Sequence, residues 1–81
     1  MNTIVALKIN GREANASFVQ EILTRYGCNI KTRVGFHEVN EDQCSMDGVI
    51  VLQLFGKDSE IQAMHEEFNK LNGVTFKIIE F

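Results

Sequence analysis

Apolar and polar positions along this chain change pattern six times, and each change predicts a boundary. Thr3 to Ile9 sets Val5, Leu7 and Ile9 against Ile4, Ala6 and Lys8, the two-residue period of a strand, β1. Asn10-Gly11 breaks the alternation. Asn10 and Glu13 have the spacing of a capping box, and Phe18, Val19, Ile22, Leu23 and Tyr26 then make one apolar stripe, which predicts a helix, α1, from Glu13 to Tyr26. Gly27 follows where a left-handed residue can close a helix. From Ile30 the period returns to two: Ile30, Thr32, Val34 and Phe36 point one way and Lys31, Arg33, Gly35 and His37 the other, a half-buried strand β2. The polar stretch Val39 to Asp47 reads as a long hairpin loop. Val49 to Phe55, VIVLQLF between Gly48 and Gly56, has the continuous apolar character of a strand covered on both faces, β3. Asp58 or Ser59 can cap a second helix, α2, whose Ile61, Met64, Phe68 and Leu71 keep one face apolar before Gly73 ends it. Val74, Phe76 and Ile78 alternate with Thr75, Lys77 and Ile79 to give β4.

The order βαββαβ with two right-handed crossovers is the α+β, ferredoxin-like sandwich, a four-stranded antiparallel sheet of order 4-1-3-2 with two helices on one face. Both helices cover the same side, so the other side of the sheet is open. Ile50, Leu52 and Leu54 face the helices, which turns Val49, Val51, Gln53 and Phe55 outward, and on β1 the outward set is Ile4, Ala6 and Lys8. A solvated antiparallel face should be polar. This one has an apolar middle and a border of Lys8, Lys31, Arg33 and Lys77. Scattered surface apolars are the plain alternative, but contiguous patches on monomers are usually interaction sites. The expectation is a dimer or tetramer of this chain, joined through Ile4, Ala6, Val49, Val51 and Phe55, or along the edge strand β2.

Length and charge narrow the classes. Eighty-one residues make one domain, 1–81, whose folding buries roughly 60–65% of the unfolded surface, so self-association is a useful source of stability. The formal net charge of −3 argues against direct nucleic-acid binding, which usually needs a basic face. Cys28 and Cys44 make no CxxC pair and no disulfide framework, and Cys28 is expected to pack inside as a small apolar residue. MNTIVALKIN has no basic leader region, and no run reaches the ~20 apolar residues that span a bilayer. These features point to a cytoplasmic protein without a membrane segment.

Candidate chemistry is sparse. His37, Glu38, Glu41, Asp42 and Cys44 gather near the end of β2, and imidazole, carboxylate and thiolate are ligands for nickel, zinc or copper. A metal shared between subunits at His37 and Cys44 is one reading; a solvated acidic hairpin is the other. Asn10, Gly11 and Arg12 join β1 to α1, where backbone N–H groups, a glycine and an arginine can hold a small anion or a carboxylate; an ordinary cap and turn uses the same residues. His65 is expected at the edge of α2 with its polar side outward. No base stands near Cys28, so nucleophilic catalysis has no support. No cofactor is required, and no enzyme is expected.

From Glu21 onward the chain resembles a family of small stand-alone ACT-like domains, regulators associated with the iron-only hydrogenase system. The stretches that carry this are ILTRYGC (22–28), IKTRVGFHE (30–38), EDQC (41–44), and Gly48 with the apolar strand after it. That family is similar in turn to the C-terminal effector domain of the nickel-responsive repressor, where an H-x-H pair and a loop cysteine bind nickel across a tetramer. Position by position, His37 matches the second histidine and Cys44 the cysteine, while Gly35 stands where the first histidine would be. No histidine lies near Thr24 to Tyr26, and the repressor's DNA-binding segment has no counterpart. The resemblance implies a non-enzymatic regulatory domain that binds a small-molecule effector between subunits and works through a separate regulatory protein, with a metal sensor or a ligand-free interaction module as the alternatives.

Overall fold

A computed structural model describes residues 2–10, 16–39 and 44–79. Its elements run β1 (Asn2–Ile9), α1 (Ala16–Arg25), β2 (Ile30–Val39), β3 (Cys44–Phe55), α2 (Asp58–Asn69) and β4 (Val74–Ile79), with a 3₁₀ turn at Gly27–Asn29. The four strands form one sheet of order β2-β3-β1-β4 with every neighbour antiparallel. This is the expected 4-1-3-2 order read from the other edge, and the fold is the α+β ferredoxin-like sandwich.

The core lies between the sheet and the helices. Val5 and Leu7 of β1, Leu52 and Leu54 of β3, and Met64 and Phe68 of α2 are fully enclosed, with Val19, Ile22 and Leu23 of α1 beside them. Each large side chain removed from water here contributes roughly 1.5–3 kcal/mol. On α2 the 3,4 spacing of Ile61, Met64 and Phe68 selects the buried face, and Leu71 packs at its margin. On α1 the stripe is narrower than its sequence suggests: Val19, Ile22 and Leu23 are buried and Tyr26 packs at the margin, while Phe18 stands out in solvent.

Four local expectations are corrected. β3 begins at Cys44, paired with Val39, so only residues 40–43 separate the hairpin strands; backbone pairing with β2, not apolar patterning, holds its polar first turn. Gly27 has no positive φ, whereas Gly56 (φ 134°) and Gly73 (φ 75°) do; Gly27 opens a 3₁₀ turn instead. In that turn Cys28 is exposed, since the turn runs along the surface between α1 and β2. At α2 the N-cap is Lys57, and Asp58 is the first helical residue, where its charge favours the helix dipole. The start of α1 and the Asn10–Glu13 cap involve residues outside those described.

The 3₁₀ turn serves a lock at the far end of the sheet. Asn29 Nδ2 donates to the Phe55 carbonyl at 3.0 Å and to the Glu60 carboxylate at 2.8 Å. The Lys57 N–H also donates to Glu60, at 3.2 Å. Gly56 lies against this lock: a Cβ there would stand 2.6 Å from Asn29 Nδ2. Gly56→Ala therefore meets both a disfavoured φ and a displaced hydrogen bond, and should cost about 1–3 kcal/mol in a urea melt. A cost near zero would mean that the lock is slack. The Asn29 amide, and after it the Lys57 N–H, hold the Glu60 carboxyl below its usual value of 4.5. A lowered folded pKa gives stability that is full above 4.5 and lost as pH falls through the folded value. Between pH 6 and pH 3 wild type should thus lose more stability than Glu60→Gln, compared by acid titration of each melting temperature; parallel curves would refute the linkage.

Candidate functional site

The open face of the sheet is built by strand alternation. With Val5, Leu7, Ile50, Leu52, Leu54 and Phe76 committed to the core, their neighbours must turn the other way. Register then assembles them into rows. Ile79, Ile4, Gln53 and Thr32 form one; Lys77, Ala6, Val51 and Val34 the next; Thr75, Lys8, Val49 and Phe36 the third. Phe55 lies beyond the first row. The five residues expected there, Ile4, Ala6, Val49, Val51 and Phe55, are brought onto one surface.

Sequence alone did not place Val34, Phe36 or Ile79 in this surface. Phe36 is 59% exposed, Phe55 53%, Val34 44% and Ile79 40%, and among the described residues Phe18 is the one other large hydrophobic so exposed. The key is a bulge in β2. Ile30 pairs with Leu54 but Thr32 pairs with Gln53, so one residue is extra at Lys31 and alternation slips there. Ile30 turns into the helix-side core while Thr32, Val34 and Phe36 face outward, correcting the single face expected for all four. The same slip sends Arg33 to the helix side, where it donates to Gln20 of α1 at 3.0 Å; it is no border of the open face. Lys31 holds its ammonium 6.0 Å above the Phe55 ring, close enough for a cation–π attraction. Thr32 Oγ1 and Gln53 Oε1 lie 3.1 Å apart, the hydroxyl donating.

The Asn10 N–H donates to the Gly73 carbonyl at 2.7 Å, tying the end of β1 to the start of β4, so it is not free to meet an anion. Gly11 and Arg12 lie outside the described residues. His37 stands opposite Gly48 and Cys44 opposite Val39, with an irregularity between; their side chains are outside the description. Among the described residues no three His, Cys, Asp or Glu gather as metal ligands. His65, half-buried on α2, stacks on Phe76 with ring centroids 4.7 Å apart. Between α1 and α2 an open groove of about 300 Å³ is lined by Phe18, Ile22 and Leu71 with Arg25, Glu21, Glu67 and Lys70. Arg25 there already bonds Glu67 at 3.0 Å and Glu21 at 3.4 Å, an internally neutralised arrangement. No described helix is long and apolar enough to cross a membrane.

No family model and no curated protein matches this chain. Solved structures do. An uncharacterised protein of Thermotoga maritima superposes with a TM-score of 0.81 at 26% identity, over 96% of this chain and 92% of that one. The C-terminal domain of an ABC transporter ATP-binding protein from Enterococcus faecalis gives 0.63 at 24% identity, over 95% and 82%. A formyltetrahydrofolate deformylase from Pseudomonas putida gives 0.61 at 12% identity, over all of this chain and 29% of that one. The last two show likeness of fold alone. Together the neighbours are consistent with a small ACT-like fold.

Proposed function

We propose that this chain is a non-enzymatic ACT-like regulatory domain, of the kind associated with the iron-only hydrogenase system, that acts through ligand-linked self-association on its open sheet face. One observation carries the reading: Val34, Phe36, Phe55 and Ile79 are all exposed on the side of the sheet that neither described helix covers. Exposed apolar patches of that kind are the usual mark of an interaction surface.

The size of the face favours a reversible contact. Four strands about 4.8 Å apart and some six residues long offer a face of roughly 20 by 20 Å. Two such faces bury on the order of 1,000 Å², below the standard range of stable interfaces. An association this weak is one that an effector can shift by a modest difference in affinity for the two states. The effector acts between subunits, and output passes through a separate regulatory protein.

Sedimentation equilibrium tests the reading. Mass should rise from the 9.2 kDa protomer towards a dimer or tetramer as concentration increases through about 1–500 µM, the range a small interface implies. A single 9.2 kDa species throughout would refute it.

A further inference from the structure

The open face carries positive charge that its described residues leave unanswered. Lys8 stands opposite Thr75 and Lys77 opposite Ala6, so the two lysines are diagonal neighbours on adjacent strands and share the outward side. Diagonal neighbours lie roughly 7 Å apart at Cβ, and two flexible four-carbon stems can converge on one point. Ion pairs among the described residues use Arg25 and Lys70, with Glu21 and Glu67, on the helices or at the C-cap of α2. The described rows of the open face hold Ile, Val, Ala, Phe, Thr and Gln with these lysines, and no acid.

In water two exposed ammonium groups tolerate each other, because solvent and salt screen them. Closing a second copy over the face changes that. Water leaves, the Lys8–Lys77 pair of each copy loses the solvent that screened it, and the repulsion within the pair grows as the apolar middle is buried. Apolar burial favours the contact; charge opposes it. The geometry points to a multivalent anion, phosphate-bearing or polycarboxylate, as the ligand that permits self-association, held between Lys8 and Lys77 with Ala6 and Val51 beside it. This rests on the self-association reading and names the chemistry of its effector. A monovalent ligand leaves one lysine of each pair uncompensated, whereas an anion of valence two or more neutralises both at the moment the face closes.

The full chain, sedimented at constant ionic strength with inorganic pyrophosphate replacing part of the chloride, tests this. Dimerisation of wild type should tighten about tenfold in pyrophosphate. A Lys8→Met, Lys77→Met double variant should dimerise equally in both salts, and more tightly than wild type in chloride. Equal wild-type constants in the two salts would overturn the proposal, as would pyrophosphate tightening that survives in the double variant. Amide NMR shifts on the same samples separate the two layers. Saturable shifts around Lys8 and Lys77 in a chain that stays monomeric would sink self-association, and the linkage with it, while upholding the anion site. Normal dimerisation without such shifts would sink the anion site and uphold the contact. Monomers that bind a thymidine oligonucleotide on this face more tightly than they bind each other would overturn the second copy as its occupant.

Discussion

Val51→Lys should yield a folded protein that no longer self-associates. Val51 sits inside the row Lys77, Ala6, Val51, Val34, on the side of β3 away from the helices. Its neighbours in sequence, Ile50 and Leu52, belong to the core, and Leu52 is fully enclosed. A change at Val51 therefore leaves the helix-side packing intact, and the melting temperature of the dilute protein should move by a few degrees at most. Association is another matter. By symmetry each copy brings one added ammonium into a contact already carrying Lys8 and Lys77, where no described acid answers it. Burying an unpaired charge at an interface costs about 2–5 kcal/mol, or at least a 30-fold loss in the association constant. Sedimentation equilibrium beside wild type reads the result. A variant that associates as tightly as wild type would show that the open face is not where protomers meet.

Phe68→Ala should cause the largest loss of stability from one side chain. Phe68 is fully enclosed, and its ring lies 5.7 Å from that of Phe76 on β4. Phe76 in turn stacks on His65 one turn back along α2, so one ring links the helix to the edge of the sheet. Truncation leaves a cavity that neighbouring rings and strands cannot fill without moving backbone, at a cost of about 3–5 kcal/mol. In a domain this small each kcal/mol lowers the melting temperature by roughly 4–8 °C, which predicts a fall of about 15 °C or more in a thermal melt. A fall of only a degree or two would mean that α2 packs by other contacts.

The two substitutions separate two sides of one sheet, and that division was readable early. Val5 and Leu7 against Ile4, Ala6 and Lys8, or Leu52 and Leu54 against Val51 and Gln53, differ by a single step in a two-residue period. Once the helices take one set, the other is committed to the open side. For β1, β3 and β4 the alternation runs without interruption, so sequence parity and structural face agree. Ile79 follows from the same rule once β4 pairs with β1. In β2 the rule breaks at Lys31, and nothing in IKTRVGF marks the break. The bulge exists because of how β2 meets β3, so Val34 and Phe36 could be assigned a face only when that pairing was known. The candidate effector residues show the same limit. Lys8 and Lys77 are 69 positions apart in the chain (77 minus 8), and only the β1–β4 register makes them neighbours.

What the sequence determined by itself was everything encoded in near neighbours: the strand and helix periods, the glycine at Gly73, the order βαββαβ, and hence a sheet with one side uncovered. Tertiary structure decided what depends on distant partners. It supplied the bulge that turns Ile30 inward and Phe36 outward, the polar start of β3 paired to Val39, and the bonds from Asn29 to Phe55 and Glu60 beside Gly56, the glycine that, unlike Gly27, has a positive φ. The physical reason is one of range. Periodicity reports which side of its own axis a residue occupies, whereas register, bulges and side-chain locks are set by the strand or helix across from it.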